Sequence, residues 1–409
     1  MFYNIINIKK EEQKEEKKMR KLVTIRKITK ISPIKNADFI ELASVDGWKS
    51  IVKKGLYKEG DYALYLEIDS LIPFNTPAVD FLQTTKKYLG EKWKYVRTIS
   101  LREQLSQGLI VEISQFPEIV SLINGKPENF LNYDFSEMLG VVKYEPPSEA
   151  NMGDMSGDLP SYIKRTGEKR IQNVYDILKE HYSDVVFVPT LKMDGTSLTA
   201  CYIQEPSYFV GKDLDYEKMT DQFWIGSHRS VVKTPEELEK DFLEKKRIAE
   251  EKGVEFHNRR NVKKSAFHEA LEAIDLEAKM KLWFQKHKKQ IAVQGELMGP
   301  KIQGNYEKFN DYTFRAFYIY FIDEGRRASY DEFEEICTEM DIPTVQSFEP
   351  IKVFEVFKSS DEILDFAEGV SENRPDREGL VFKSRGLHNG KPISFKAISN
   401  SYLLGKHGD

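Results

Sequence analysis

Residues 190–197 read Thr190-Leu191-Lys192-Met193-Asp194-Gly195-Thr196-Ser197, a lysine set between two apolar runs and succeeded at once by an Asp-Gly turn signal. The runs on either side, 184–191 and 197–203, have the length and apolar character of strands. Working outward, residues 291–297, 314–323 and 379–383 read as further strands. Between the second and third of these five lie two charged stretches, 234–252 and 265–289, whose Glu/Lys spacing supports exposed helices. From about Pro160 onward the chain therefore reads as an α+β domain, 160–409, with a helical insertion over about 232–290. That insertion is a solvated face before it is a binding arm. A Lys-x-Asp-Gly tetrapeptide is weak by itself, since average composition produces one in roughly one chain in ten of this length. Alone, Lys192 could be a surface lysine ahead of a turn.

Upstream, from Leu22 to about Ile113, the pattern changes to short strands. Residues 61–68 (DYALYLEI) alternate, which predicts Tyr62, Leu64, Leu66 and Ile68 on one face. Turn signals at 33–38, Asp46-Gly47, Gly55 and Glu59-Gly60 divide the region, as in a small barrel or sandwich. Residues 86–102 hold four lysines and two arginines against one glutamate, a local charge of +5, with Tyr88, Trp93 and Tyr95 interleaved. Basic residues that track phosphates beside aromatics that stack on bases make a nucleic-acid-binding composition, which nominates Lys92, Lys94 and Arg97. The same stretch could be an exposed basic loop over core aromatics. Residues 120–159 turn loop-like (Asn124-Gly125, Pro146-Pro147, MGDMSGD) and read as a linker between domains 19–119 and 160–409.

The length, 409 residues, suits two domains, and 40% hydrophobic residues can build a real core. Positive and negative charges nearly cancel at a net of -5, so charge does not decide for or against a polyanion partner. Cys201 and Cys337 are too few for a disulfide framework or a cysteine zinc site, which suits a reducing compartment, cytoplasmic or open to the nucleus. No apolar run reaches the roughly 18 residues that a membrane span needs. Residues 1–18 pair a short apolar opening with a mixed charge run, a solvated leader rather than a signal peptide, and Met19 is a possible alternative start.

Lys192 gains weight from a series of segments downstream of it. First come Ser227-His228-Arg229 and Gly295-Glu296-Leu297-Met298-Gly299, then the aromatic run Phe317-Tyr318-Ile319-Tyr320-Phe321. Arg377-Glu378-Gly379-Leu380-Val381-Phe382-Lys383 and Ser394-Phe395-Lys396 complete the series. The series resembles the motifs of the covalent nucleotidyltransferases, the superfamily of DNA ligases, RNA ligases and mRNA capping enzymes. Gly-Glu-Leu-Met-Gly-Pro, Ser-Phe-Lys-Ala-Ile-Ser-Asn and the upstream Glu168-Lys169-Arg170-Ile171-Gln172-Asn173 look like the RNA ligase branch, and the resemblance covers about 160–409. Residues 22–116 resemble an OB-type barrel through Pro33–Asp38, Lys53-Lys54-Gly55, and Arg102 with Ser106–Ile110. Domain order supports the RNA ligase branch, because only 409 − 396 = 13 residues come after Lys396. DNA ligases and capping enzymes place an OB domain there. The expected fold is an N-terminal OB-type β-barrel followed by an ATP-grasp-like ligase domain of antiparallel sheets and helices.

The resemblance implies an ATP-dependent RNA ligase that seals 3′-OH/5′-phosphate breaks in nicked RNA or RNA/DNA duplex and acts as a monomer. Lys192 would be the nucleophile that takes AMP, with Lys383 and Lys396 neutralising charge on the phosphate. Lysine attacks phosphorus only as the neutral amine, so its reference pKa near 10.4 must be lowered. Asp194, Glu296 and Glu378 are the inventory for a hydrated Mg²⁺ or Mn²⁺. Glu296 would also contact the ribose, with Gly195 beside the nucleotide. Phe317 would stack on adenine, Arg229 bind phosphate, and Lys169 and Arg170 clamp the β and γ phosphates. Tyr318 or Tyr320 could stack in place of Phe317, and the arginines and Glu378 could serve the fold alone. Some phage RNA ligases carry a second lysine two positions after the one matched by Lys396, where this chain has Ile398. The insertion between Arg229 and Glu296 is a second departure. A capping-type guanylyltransferase and a non-catalytic RNA-binding protein with a relict nucleotide fold are the competing readings.

Overall fold

The structure, a computed structural model, describes residues 20–82, 84–88, 91–131, 133–144, 153–160, 162–203, 223–256 and 264–407. The expected leader, 1–18, lies outside them. The chain divides into two compact units after Pro146, with 359–361 and the C-terminal residues from Asn400 grouping with the first.

The first unit is built of short antiparallel strands. Val23–Lys27, Tyr62–Leu66 and Leu109–Val111 form one sheet, Lys30–Pro33, Ile40–Val45 and Trp48–Lys53 a second. Ser70–Pro73 and Glu91–Val96 centre a third. The strand Tyr62–Leu66 is buried on both faces: Leu64 and Leu66 enter one apolar cluster with Ile25 and Val111, Ala63 and Tyr65 another with Trp48 and Ile110. Ile68 departs from the expected alternation, because the strand ends at Leu66 and Ile68 joins the Ala63 and Tyr65 cluster. The linker expected over 120–159 is corrected as well. Helix Pro117–Ile123 and residues as far as Val141 are core, with Ile119, Ile123, Phe135 and Val141 buried against Ile25 and Leu64. Asn-Gly marked the helix end rather than a domain boundary, since Asn124 is the left-handed cap of that helix. The terminal helix Asn400–His407 packs on the hairpin 99–106 and buries Tyr402 and Leu403, so it belongs with this unit rather than with 160–399.

The second unit holds two antiparallel sheets. Its strands are β1 (Met155–Asp158), β2 (Phe187–Lys192), β3 (Thr196–Tyr202), β4 (Phe223–Gly226), β5 (Ser230–Val232), β6 (Ile291–Met298), β7 (Thr313–Phe321), β8 (Arg326–Arg327), β9 (Gly379–Ser384) and β10 (Ser394–Ile398). The larger sheet runs β1-β5-β4-β3-β6-β7-β8 and the smaller β2-β9-β10. The insertion is helical, α1 (Pro235–Glu251), α2 (Ala266–Glu272) and α3 (Leu276–His287). Thr234 and Glu237 form a capping box that starts α1. The single helix expected over 265–289 breaks at Ala273–Asp275, where Asp275 takes a left-handed conformation. α2, α3 and α4 (Tyr330–Glu339) pack Leu271, Met280, Trp283 and Phe333 on the large sheet with Val293 and Ile319.

Strand alternation in the small sheet explains the site. Leu380 and Phe382 of β9 and Phe395 and Ala397 of β10 point into one apolar core, where Phe382 and Phe395 stack at 4.7 Å. Directly paired residues share a face, and the pairs are Lys192 with Gly379, Val381 with Lys396, and Lys383 with Ser394. All three lysines therefore lie on the opposite face. That face is turned to the large sheet, since Lys383 Nζ donates to the Phe317 carbonyl at 2.5 Å.

Candidate active site

Lys192 is the last residue of β2, and its neighbour across the ladder is Gly379, so Glu378 stands at the matching edge of β9. Lys192 Nζ lies 2.8 Å from Glu378 Oε2, with the lysine side chain 24% exposed. Gly195 lets the chain turn back tightly. A Cβ there would meet the Leu297 carbonyl oxygen at 2.4 Å and the Glu296 and Met298 side chains at 2.9 Å. The loop thus passes directly over β6, and β3 pairs with β6 so that Ser197 stands opposite Glu296.

Burial by itself would lower the Lys192 pKa, but the carboxylates of Glu378, Glu296 and Asp194 outweigh it and hold the ammonium form above its ordinary range. Glu296 is pushed up to about 8, first by burial and then by Glu378 and Asp194, with Lys192 opposing. The other two lysines move the opposite way. Lys396 falls to about 8 through burial and the positive charges of Lys192 and Arg170. Lys383, 3% exposed, falls to about 7 through burial, Glu168 and Cys337 resisting. One site thus keeps its nucleophile charged and its supporting lysines near neutrality.

The stretch Glu168-Lys169-Arg170 lies along β10, where Lys396 N–H donates to the Lys169 carbonyl at 2.8 Å and Arg170 bridges to Lys396. Glu168 is the fastener, accepting from Tyr318 Oη at 2.8 Å, Arg327 Nη1 at 2.7 Å and Ser394 Oγ. Tyr318 is buried there beneath Lys383 and Arg327, and Tyr320 is buried elsewhere in the sheet, so neither offers a free ring face. Phe317 differs because β7 carries a bulge. Gln294 pairs with Tyr318 and Gly295 with Ala316, which leaves Phe317 without an opposite residue and re-aims its side chain. Gly295 is needed at this crossing, since a Cβ would meet the Phe314 ring at 2.4 Å. Phe317 is only partly buried and packs beside Leu191, Met193 and Met298. Arg229 sits in the turn between β4 and β5, its carbonyl accepting from Leu159 N–H at 2.7 Å. The neighbouring His228 Nδ1 lies 3.4 Å from Thr166 Oγ1, which is 3.1 Å from Ser197 Oγ.

Among the described residues no group of three or more His, Cys, Asp or Glu side chains stands ready to hold a metal ion directly. Asp194, Glu296 and Glu378 nonetheless crowd their negative charge around Lys192. Sequence reading missed Glu307, whose carboxylate reaches the Asp194 backbone N–H, and Arg377, which donates to the carbonyls of Phe366, Ala367 and Glu368 just before Glu378. Both sit in irregular chain, where no periodicity marks a buried charge.

In the first unit, Lys94 is not available to a phosphate. Its side chain is buried, and its ammonium donates to the carbonyls of Asp80 at 2.8 Å and Leu82 at 3.2 Å. The 80–82 backbone covers it, whereas Lys92 and Arg97 are exposed, with Lys92 Nζ 5.7 Å from the centre of the Phe74 ring. Cys201 and Cys337 are both free and buried. No helix among the described residues is long and apolar enough to cross a membrane.

Residues 22–113 match a family model described as an OB-fold domain. The chain is similar to the Naegleria gruberi RNA ligase solved with PPi, at 30% identity over 95% of this chain and 99% of that one, with a TM-score of 0.67. Point mutants of that ligase solved with AMP and Mn, and with ATP and Mn, match at 30% and 29% identity and a TM-score of 0.68. They cover 95% and 94% of this chain, and 100% and 99% of their own. A comparison with curated proteins finds no match. Residues 185–398, more than half the chain and the span from β2 to the end of β10, match the family model of RNA ligases. With the lysine, carboxylate and aromatic groups assembled on those strands, the chain belongs to the RNA ligase family.

Proposed function

We propose that this chain is an ATP-dependent RNA ligase that seals 3′-OH/5′-phosphate breaks in nicked duplex through an AMP adduct on Lys192. The observation that carries the reading is Lys192 held 2.8 Å from Glu378 on the strand face that also bears Lys383 and Lys396. In the first step Lys192 Nζ loses its proton and attacks the α-phosphorus of ATP. An N–P bond forms, the bond to the β-phosphate oxygen breaks, and pyrophosphate leaves. Lys396 and Lys383 regain full charge as the polyanion enters and neutralise the phosphate oxygens where negative charge develops. Phe317, freed by its bulge, supplies an adenine platform. In the second step a 5′-phosphate oxygen displaces Lys192 from the AMP phosphorus. In the third the 3′-OH attacks that 5′-phosphate and AMP leaves.

Asp194, Glu296 and Glu378 would hold a hydrated Mg²⁺ or Mn²⁺, a set of hard oxygen donors with more negative charge than Lys192 alone offsets. A bound divalent cation supplies the positive charge that loosens their hold on the Lys192 proton. The Naegleria gruberi ligase structures that carry Mn with ATP or AMP support this assignment. Exposed Lys92 and Arg97 support RNA contact by the first unit. The direct test is labelling with α-labelled ATP or GTP. An acid-labile adduct from ATP, absent in Lys192→Arg because guanidinium does not deprotonate at working pH, is the expected result. An adduct that survives in Lys192→Arg refutes the assignment. Labelling by GTP alone favours a capping-type guanylyltransferase.

A further inference from the structure

Outside the groups just assigned, one titratable side chain is placed where a carboxylate is rarely left. Glu307 is 0% exposed, although glutamates are almost never fully buried unless paired. It lies on the irregular segment between β6 and β7, and both of its oxygens are engaged. Oε1 accepts from the Asp194 backbone N–H at 3.3 Å, and Oε2 accepts from Ser371 Oγ at 2.5 Å. One partner is two residues beyond Lys192. The other opens the segment that runs into Glu378. We infer that Glu307 is a positioning residue for lysine adenylylation, its carboxylate clamping the Lys192 loop to the segment that delivers Glu378. This rests on the proposed lysyl-AMP reading.

The surroundings support a clamp rather than an accidental burial. The adjacent Tyr306 donates to Asp376, and Arg374 both lies over the Tyr306 ring at 4.4 Å and pairs with Asp376 at 2.9 Å. The segment is thus fastened to 371–376 at successive residues. Its backbone is also unusual. Lys301, Gln303, Asn305 and Lys308 take φ of 67°, 45°, 54° and 55°, the left-handed region that side chains disfavour. Such a run persists where contacts over-determine it, and the Asn305 side chain adds two by bonding the Phe309 N–H at 3.1 Å and carbonyl at 2.9 Å. The β2–β9 ladder fixes Lys192 against Glu378 along the strands. Glu307 fixes them from the loop side, where the ladder has ended. A carboxylate suits the task because it only accepts, and here it meets one N–H and one O–H.

The test compares two reactions of the full-length protein. Single-turnover adenylylation at saturating ATP with Mn²⁺ depends on Lys192, whereas sealing of a nick already bearing a 5′-adenylylated end does not require Lys192 as a nucleophile. Glu307→Ala should slow adenylylation on the order of 10- to 10²-fold, the cost of misplacing a reacting group, with the ATP concentration for half-saturation nearly unchanged. Sealing of the pre-adenylylated nick should fall by less than about threefold. Glu307→Gln keeps an acceptor for Asp194, and the Ser371 hydroxyl can turn to accept from the amide. That variant should recover most of the adenylylation rate. Wild-type adenylylation by Glu307→Ala would overturn the inference. So would equal losses in both reactions with no recovery by Glu307→Gln, the signature of a carboxylate that only stabilises the fold. A wild-type protein that takes no AMP on Lys192 would instead refute the lysyl-AMP reading itself.

Discussion

Lys94 and Lys92 are two residues apart in a basic stretch, yet the structure gives them opposite jobs, and substitution separates those jobs. Lys94 is 6% exposed and donates to two backbone carbonyls, at 2.8 and 3.2 Å. A hydrogen bond from a charged donor is worth about 1.5–3 kcal/mol net. Removing both in Lys94→Ala also strands the carbonyls of Asp80 and Leu82, offset in part because the cation no longer has to be buried. A loss of about 2–4 kcal/mol results. In urea this should lower the midpoint of the first unit's unfolding without changing the slope. Lys92→Ala and Arg97→Ala alter exposed residues and should stay within about 0.5 kcal/mol of wild type. Nucleic-acid binding should reverse the order. Each exposed cation that contacts a phosphate contributes about 0.7–0.9 to the slope of log affinity against log salt, and buried Lys94 contributes none. The assay is a salt titration of nicked RNA duplex binding, run beside equilibrium unfolding on the same proteins. If Lys94→Ala flattens the salt slope while keeping wild-type stability, the assignment of Lys94 to the fold is wrong.

The active site supplies three more expected outcomes. Glu296→Ala and Glu378→Ala should each slow adenylylation on the order of 10²-fold, with Glu296→Gln recovering little, and wild-type rates across a metal titration would make both residues structural. Lys383 titrates near 7 when folded against 10.5 in the ordinary range, so it is neutral in the folded chain and charged in the unfolded one between those values. Its contribution to stability is present above about 10.5, is lost as pH falls through about 7, and gives a rising slope of up to about 1.4 kcal/mol per pH unit between them. Lys383→Met should flatten the stability profile between about pH 8 and 9.5, read by urea unfolding, and an unchanged slope would assign the proton uptake elsewhere. Gly195→Ala places a Cβ 2.4 Å from the Leu297 carbonyl oxygen and must displace the loop. It should cost about 1–3 kcal/mol and slow adenylylation more than a comparable change in α1, an expectation defeated by wild-type labelling.

Much of the second unit was legible because its chemistry is carried on strands. The five strands expected from apolar runs appear as β2, β3, β6, β7 and β9, and Lys192, Glu296, Phe317 and Lys383 lie on them. The OB-fold match over 22–113 falls within the region read as short strands. The failures have a common physical origin. Lys94 and Lys92 share one strand parity, so alternation could not distinguish a lysine covered by the 80–82 carbonyls from one left open. Ile68 was placed by extending a period of two beyond the strand that generates it. Asn124-Gly125 looked like a domain boundary because a helix cap and a linker use the same residues. Glu307 gave no signal, since its burial depends on Asp194 and Ser371, 113 and 64 residues away.

The charge arrangement around Lys192 gives the site a resting state. The carboxylates of Glu378, Glu296 and Asp194 hold its proton, while Lys396 and Lys383 sit near neutrality at about 8 and 7. ATP is a polyanion, and by the same Coulomb rule it tightens the Lys192 proton as it recharges the other two lysines. Substrate alone therefore organises the phosphate without freeing the nucleophile. Additional positive charge near Glu296 and Glu378 weakens the pull of those carboxylates, and the burial of Lys192 then favours the neutral amine. On this account the carboxylates do two things, and the second is a consequence of the first. They attract a divalent cation, and until it arrives they keep the lysine from reacting.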